Sequence, residues 1–166
     1  MRTITILLFS IISLTVNAQR METINETVAN LFIATDKRDW VKVEAIFAEI
    51  VELDYSSMTG NPAIILTPKQ ITDSWKTILP GFTQTHHQIG NFITTIEKTK
   101  AEVFCYGTAM HYLADSAGNV WTVIGTYNFE LQKTDEMWKI SKMKFNFKFQ
   151  DGNVDLPKKA IENLKN

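Results

Sequence analysis

A single cysteine, Cys105, in 166 residues excludes any disulfide within the chain. Histidine is almost as scarce, with three residues in all: His86, His87 and His111. Four prolines and seven glycines leave no Pro- or Gly-rich linker, and neither an internal repeat nor a low-complexity stretch interrupts the chain. Charge of one sign is also missing. Seventeen Lys and Arg against eighteen Asp and Glu give a net charge of −1, and no basic patch suits a nucleic acid partner. The chain has no Gly-rich phosphate loop, no serine elbow and no metal-spaced cysteine cluster, so no motif asks for a cofactor or a metal.

One long hydrophobic run is present, at the start. Arg2 precedes the apolar stretch Ile4 to Val16, and Val16-Asn17-Ala18 places small or apolar side chains at the −3 and −1 positions of a cleavage site. This is the layout of a secretory signal peptide, too short for a permanent transmembrane helix. The reading predicts a leader over 1–18, cleavage after Ala18, and an exported protein, periplasmic or secreted, with no stable membrane insertion. The alternative is an uncleaved anchor. Residues 19–156 then form one domain with a real core, and 157–166 a tail or short helix. An exported chain without disulfides has to be held by packing or by dimer formation, and a homodimer is expected.

The first half reads as helices. Ile24, Val28, Leu31 and Phe32 fall at helical spacing. Asp39 is placed to cap a second helix whose face is Trp40, Val43, Ile46 and Phe47. Ile50 to Tyr55 turns to an extended run, and Thr67-Pro68 opens a third helix with a hydroxyl cap followed by proline. Its buried side is Ile71, Trp75, Ile78 and Leu79. The second half reads as four strands, 83–97, 101–115, 120–133 and 137–150, joined by connections so short that neighbours must be antiparallel. On the last strand Met143, Phe145, Phe147 and Phe149 share one side. Helices followed by long strands give the α+β class, a curved antiparallel sheet packed on N-terminal helices, with a concavity suited to a small molecule.

The histidines carry the chemistry, because neutral imidazole exchanges protons near neutral pH. Side chains alternate along a strand, so His86 and His87 point to opposite faces and cannot chelate one metal together. His87 is read as inward, His86 as outward. His111 shares parity with Val103, Cys105, Gly107 and Ala109, small residues suited to lining a pocket. Either inward histidine could instead be a structural, hydrogen-bonded core residue. Trp75, Phe82, Trp121 and Tyr127 could wall a pocket for a ring-containing ligand, or be plain core.

The order of elements, with FIATDKRDW (32–40), DYSS (54–57), THHQIGN (85–91) and WKISKMKF (138–145), resembles the SnoaL-like branch of the nuclear transport factor 2-like superfamily. The resemblance implies a cone-shaped sheet around an internal pocket and a dimer through the outer sheet face. Within that superfamily the motifs look most like the scytalone dehydratases, which eliminate water without metal or organic cofactor. By that likeness Tyr55 takes the place of the catalytic tyrosine, His87 that of the catalytic histidine, His111 that of a second histidine, and Asp36 that of the aspartate paired with His111. The sequence departs from the pattern at Thr35, where a tyrosine is expected. It departs again near Gly125 and Tyr127, where serine and asparagine are expected, with Asn128 one residue out of register.

The resulting expectation is a cofactor-independent lyase or isomerase, dehydratase-like, acting on a small cyclic hydroxy-ketone or a polyketide- or steroid-like molecule. His87 moves the proton, with His111 and Asp36 assisting, and Tyr55 polarises the carbonyl. The competing expectation is a secreted small-molecule-binding protein of the same fold without chemistry.

Overall fold

The computed structural model describes residues 23–165. The expected leader over residues 1–18 lies outside them. Helix α1 spans residues 23–36, and its buried stripe is Ile24, Val28, Leu31 and Phe32, as the spacing predicts. It ends where Arg38 takes a left-handed φ of 57°. There Asp39 N–H donates to the Ala34 carbonyl and Arg38 N–H to that of Thr35, both at 2.9 Å. This paired closure is normally built on glycine.

Helix α2 (Trp40–Ile46) is capped by the Asp39 carboxylate, which accepts from Lys42 N–H at 3.1 Å. Phe47, expected on the face of this helix, instead opens strand β1 (Phe47–Asp54). Its ring is buried against Trp75, with centroids 6.1 Å apart. A short helix α3 (Ser56–Thr59), strand β2 (Ile64–Leu66) and helix α4 (Pro68–Lys76) follow. Helix α4 starts on a capping box of Thr67 and Gln70 with proline in its first turn, satisfying orphan N–H groups reciprocally. A 3-10 turn at Leu79–Gly81 leads into the four long strands. These are β3 (Gln84–Glu97), β4 (Lys100–Tyr112), β5 (Val120–Thr134) and β6 (Met137–Gly152), and helix α5 (Leu156–Asn163) closes the chain.

All six strands form one curved sheet in the order β2-β1-β6-β5-β4-β3. The α+β class and the helix-backed sheet are those expected from sequence. Strands β3 to β6 form an antiparallel meander, but β1 lies parallel to β6, with Phe47 opposite Ile140. The sheet is therefore mixed. Short connections dictate direction only within the meander, whereas β1 is separated from β6 by α3, β2, α4 and strands β3 to β5.

Of the four register shifts in the sheet, two bear on the side chains described here. In β3 the register shifts between Gly90 and Ile93, where Asn91 has φ 54°, a conformation asparagine tolerates better than most residues. In β6 the shift falls at Phe147 and Phe149, which pair with the adjacent residues Gly125 and Ile124. Bulges add a residue to one strand and change its side-chain parity. Phe149 is consequently 54% exposed instead of sharing the buried side of Met143 and Phe145.

The paired glycines Gly107 and Gly125 let two rings lie flat on the inner face. A Cβ at Gly107 would stand 2.3 Å from the Tyr127 ring, and one at Gly125 would stand 2.5 Å from that of Phe145. The stripe of helix α1 shares one core cluster with Val103, Phe129 and Leu131 of the sheet, and Phe32 meets Phe129 with ring centroids 6.2 Å apart. Burying each such side chain contributes about 1.5–3 kcal/mol, and Leu31→Ala at this seam would cost about 2–5 kcal/mol.

Candidate active site

Asp36 is the last residue of α1, and the helix ending just described aims it at the start of β3. Arg38 fastens the junction, its guanidinium donating to the Phe82 carbonyl at 2.5 Å. Both Asp36 oxygens are engaged by β3. Oδ1 accepts from the Thr85 hydroxyl at 2.8 Å and lies 2.7 Å from His87 Nδ1, while Oδ2 accepts from the His87 backbone N–H at 2.8 Å. An ionised carboxylate can only accept, so Nδ1 carries a proton, and in the neutral imidazole the other ring nitrogen, Nε2, is the bare one. Burial alone would raise the Asp36 carboxyl pKa. The hydrogen bond and charge of His87, its backbone N–H and the Thr85 hydroxyl outweigh burial and hold it below the usual value.

His87 lines a cavity of about 340 Å³ between the helices and the inner face of the sheet. Its ring stacks on Phe32, with centroids 5.4 Å apart, and meets His111 edge-on at 5.8 Å. His86 faces outward and is exposed, so strand alternation separates the two histidines as expected. His111 is only 5% exposed and sits between Phe82 and Trp121, with centroids at 4.9 and 4.6 Å. Its Nδ1 points at the Trp121 carbonyl at 3.4 Å. Burial, then the charge of His87, pushes its pKa down to about 4, so it is neutral at neutral pH.

Two tyrosines supply hydroxyls to the cavity wall. Burial pushes the Tyr55 pKa far up, and the Trp75 side chain hydrogen-bonds its hydroxyl. Burial, then proximity to Tyr55 and Cys105, does the same to Tyr127. Both therefore remain protonated and act as hydrogen-bond donors.

Six of the eight residues singled out in the sequence line this one cavity: His87, His111, Tyr55, Trp75, Trp121 and Tyr127. Asp36 and Phe82 stand one layer behind it, against His87 and His111 respectively. The pairing of Asp36 with His111 is not found. The carboxylate is bonded to His87 instead, because the end of α1 meets β3 and the His111 ring is turned toward its β5 neighbour. Nor does Asp36 cap α2, a role Asp39 fills.

Thr35, where the likeness asks for tyrosine, lines the cavity and returns its hydroxyl to the Leu31 carbonyl at 2.8 Å. Asn128 is on the outer face, bonded to Asn146 at 2.7 Å. Phe32, Met58, Met143 and Phe145 also line the cavity. The apolar patterning marked Phe32, Met143 and Phe145 as inward-facing, but periodicity cannot separate a cavity wall from a filled core. Met58 carried no signal, because it belongs to a segment rich in turn residues.

Among the described residues, no group of three or more His, Cys, Asp or Glu is placed to hold a metal ion, and no helix is long and apolar enough to cross a membrane.

Comparison with known proteins agrees with this architecture. A protein from Kribbella flavida, Kfla4162, superposes with a TM-score of 0.79 at 21% identity, covering 86% of this chain and 99% of its own. A Novosphingobium aromaticivorans protein provisionally assigned as a scytalone dehydratase gives 0.69 at 19% identity, covering 82% and 89%. The type-three hexachlorocyclohexane dehydrochlorinase of Novosphingobium barchaimii gives 0.70 at 15% identity, covering 83% and 92%. At such identities the likeness is one of fold. No protein of curated function matches the sequence. The profile of the SnoaL-like domain matches residues 17–144, most of the chain. With the helix-backed curved sheet and its cavity, that match makes the chain a member of the SnoaL-like domain family.

Proposed function

We propose that the protein is a cofactor-independent lyase or isomerase in which His87 is the general base and Asp36 its orienting partner. One observation carries the reading: a carboxylate-held imidazole, whose Nε2 is unprotonated in the neutral form, lines a mostly apolar cavity. In such a setting His87 Nε2 takes a proton from a carbon beside a carbonyl, and the C–H electron pair moves onto the carbonyl oxygen. Asp36 offsets the imidazolium charge. Tyr55 donates to the developing oxyanion. Its bond with Trp75 leaves its own O–H free, since an indole N–H can only donate.

In a dehydration the electron pair returns, the carbon–oxygen bond at the next carbon breaks, and the departing hydroxide takes the proton from His87 as water. In an isomerisation His87 returns the proton to a different carbon. His111, neutral and directed by the Trp121 carbonyl, accepts a hydrogen bond from the substrate hydroxyl. The name of the dehydrochlorinase relative fits the same logic, since it too describes removal of a proton and a leaving group.

The test needs no knowledge of the natural substrate. Alpha-tetralone in heavy water should exchange its alpha hydrogens faster with the protein than without it, as read by NMR. His87→Ala should abolish the acceleration while circular dichroism stays unchanged. Acceleration that survives His87→Ala refutes the assignment. The apolar wall also favours a second reading, a binding protein without chemistry, which predicts tight tetralone binding with no exchange.

Export and a homodimer complete the proposal. The first rests on residues 1–18, and Edman sequencing of exported material should begin at Gln19. The second rests on an outer sheet face that exposes Ile93, Tyr106 and Phe149. Light scattering should give twice the chain mass.

A further inference from the structure

Strand β1 leaves the sheet before β6 does. Asp54, opposite Lys144, is its last residue paired with β6. Continued in register, Ser56 would face Asn146, donating its N–H to the Phe145 carbonyl and accepting from Phe147 N–H. The chain turns into α3 instead, and Ser56 N–H goes to the Asp54 carboxylate at 2.8 Å. The Ser57 hydroxyl makes the two missing bonds. It donates to the Phe145 carbonyl at 2.7 Å and accepts from Phe147 N–H at 2.8 Å. One hydroxyl thus replaces a peptide unit of β1.

Helix α3 depends on that replacement. It is a single turn of four residues, none of them buried. A lone turn is too short to persist by its own backbone bonds, and no buried apolar face holds this one down.

Tyr55 is the residue that the tie governs. It directly precedes α3, and its carbonyl accepts from Met58 N–H at 2.9 Å and Thr59 N–H at 3.0 Å. Before it in the chain, the Asp54 carboxylate meets Lys144 at 3.1 Å. After it, Ser57 grips the backbone of Phe145 and Phe147. The Tyr55 backbone is therefore fastened to β6 from both sides. Its ring lies 6.3 Å from that of Phe145, and its hydroxyl, bonded by the Trp75 side chain, belongs to the cavity wall.

We infer that Ser57 is a positioning residue: through its two bonds to β6 it fixes Tyr55 in the orientation that donates to the substrate oxygen. The inference rests on the proposed role of Tyr55 for its effect on rate, but not for its effect on the Tyr55 ring.

Ser57 is exposed, so Ser57→Ala opens no cavity and water takes over the two β6 groups. Circular dichroism of the variant should match the wild type, and a variant that does not fold contradicts a local tie. In tetralone deuterium exchange Ser57→Ala should lower kcat about tenfold, a fraction of the cost of losing a whole oxyanion donor. KM should stay within about twofold, because a donor engaged only as charge develops acts on kcat. Ser57→Thr keeps the hydroxyl and should recover most of the rate. In a Tyr55→Phe background Ser57→Ala should cost nothing more, since its effect passes through a hydroxyl already removed.

Carbon-13 NMR of tyrosine-labelled protein gives a readout independent of turnover, with the Tyr55 ring assigned by its absence in Tyr55→Phe. Ser57→Ala should shift and broaden the Tyr55 signal. A Ser57→Ala rate within about twofold of wild type, a loss carried in KM, an equal loss in Ser57→Thr, or the same loss in the Tyr55→Phe background overturns the inference. If the wild type exchanges no hydrogen, the catalytic reading fails and the Tyr55 signal decides: unmoved by Ser57→Ala, it overturns the positioning role too. If exchange depends on His87 while Ser57→Ala changes neither rate nor signal, only the positioning role fails.

Discussion

Replacing Asp36 by asparagine tests the centre of the site most directly. Asparagine has the shape of aspartate but one acceptor oxygen instead of two, and no charge. If its oxygen faces His87 Nδ1 and Thr85, its NH₂ group confronts the His87 backbone N–H, which Oδ2 now satisfies at 2.8 Å. If the amide flips, NH₂ faces Nδ1. The imidazole must then move its proton to Nε2, which blocks the nitrogen directed at the cavity. Either arrangement also removes the charge that balances the imidazolium. With a 2.7 Å Nδ1–Oδ1 contact, the charge centres are about 4 Å apart, worth about 4 kcal/mol at an effective permittivity of about 20. That corresponds to a loss of about a thousandfold in kcat/KM. The assay is tetralone deuterium exchange, paired with nitrogen-15 NMR of the histidines, which should show His87 protonated at Nδ1 in the wild type. A variant within about tenfold of the wild-type rate with the Nδ1 proton still in place would refute the dyad.

Three further outcomes are expected. Gly107→Ala drives a methyl to 2.3 Å from a Tyr127 ring already packed against Phe32, Phe129 and Phe145. It should cost about 1–3 kcal/mol and lower Tm by about 5 °C. Adding Tyr127→Leu should recover part of the loss, and an unchanged Tm for the single variant contradicts the packing argument. His111 has its pKa lowered from 6.5 to about 4 by burial, so the unfolded chain takes up its proton first as pH falls. Its contribution is whole above about pH 6.5 and is lost on descent to about pH 4, to a total of about 3 kcal/mol. His111→Gln should flatten that part of the urea-unfolding pH profile, and an unaltered slope would exclude the assignment. Burial pushes the Cys105 thiol up to about 12, so a disulfide reagent should modify it only in denaturant, and rapid labelling of the native protein would contradict its burial.

What the sequence makes legible here is local. Ile24, Val28, Leu31 and Phe32 announce α1 by spacing alone, and Thr67-Pro68 announces α4 by cap chemistry. Alternation is enough to separate His86 from His87. Where contacts span the chain, local pattern gives less. Phe47 continues the helical stripe of Val43 and Ile46 as well as it opens a strand with Val51 and Leu53, and only pairing with β6 decides the matter. One inserted residue in β6 reverses the side on which Phe149 emerges. Asp36 and His87 were each identifiable as site residues, yet their bond crosses 51 positions. Motif likeness joined Asp36 to His111 because matching segments locate residues without fixing which way their rings turn.

The parallel seam between β1 and β6 also constrains the order of folding. Strands β3 to β6 pair with sequence neighbours through short connections, whereas Phe47 must find Ile140 about 90 residues away. Closing a loop of that length costs about 4 kcal/mol of chain entropy, so the meander is expected to assemble before β1 joins it. Until that seam closes, Tyr55, which directly follows β1, has no fixed position opposite Phe145 of β6. Strand β6 therefore completes the cavity, and a nascent chain that has not yet extruded β6 holds its histidines in a sheet fragment with an unfinished site.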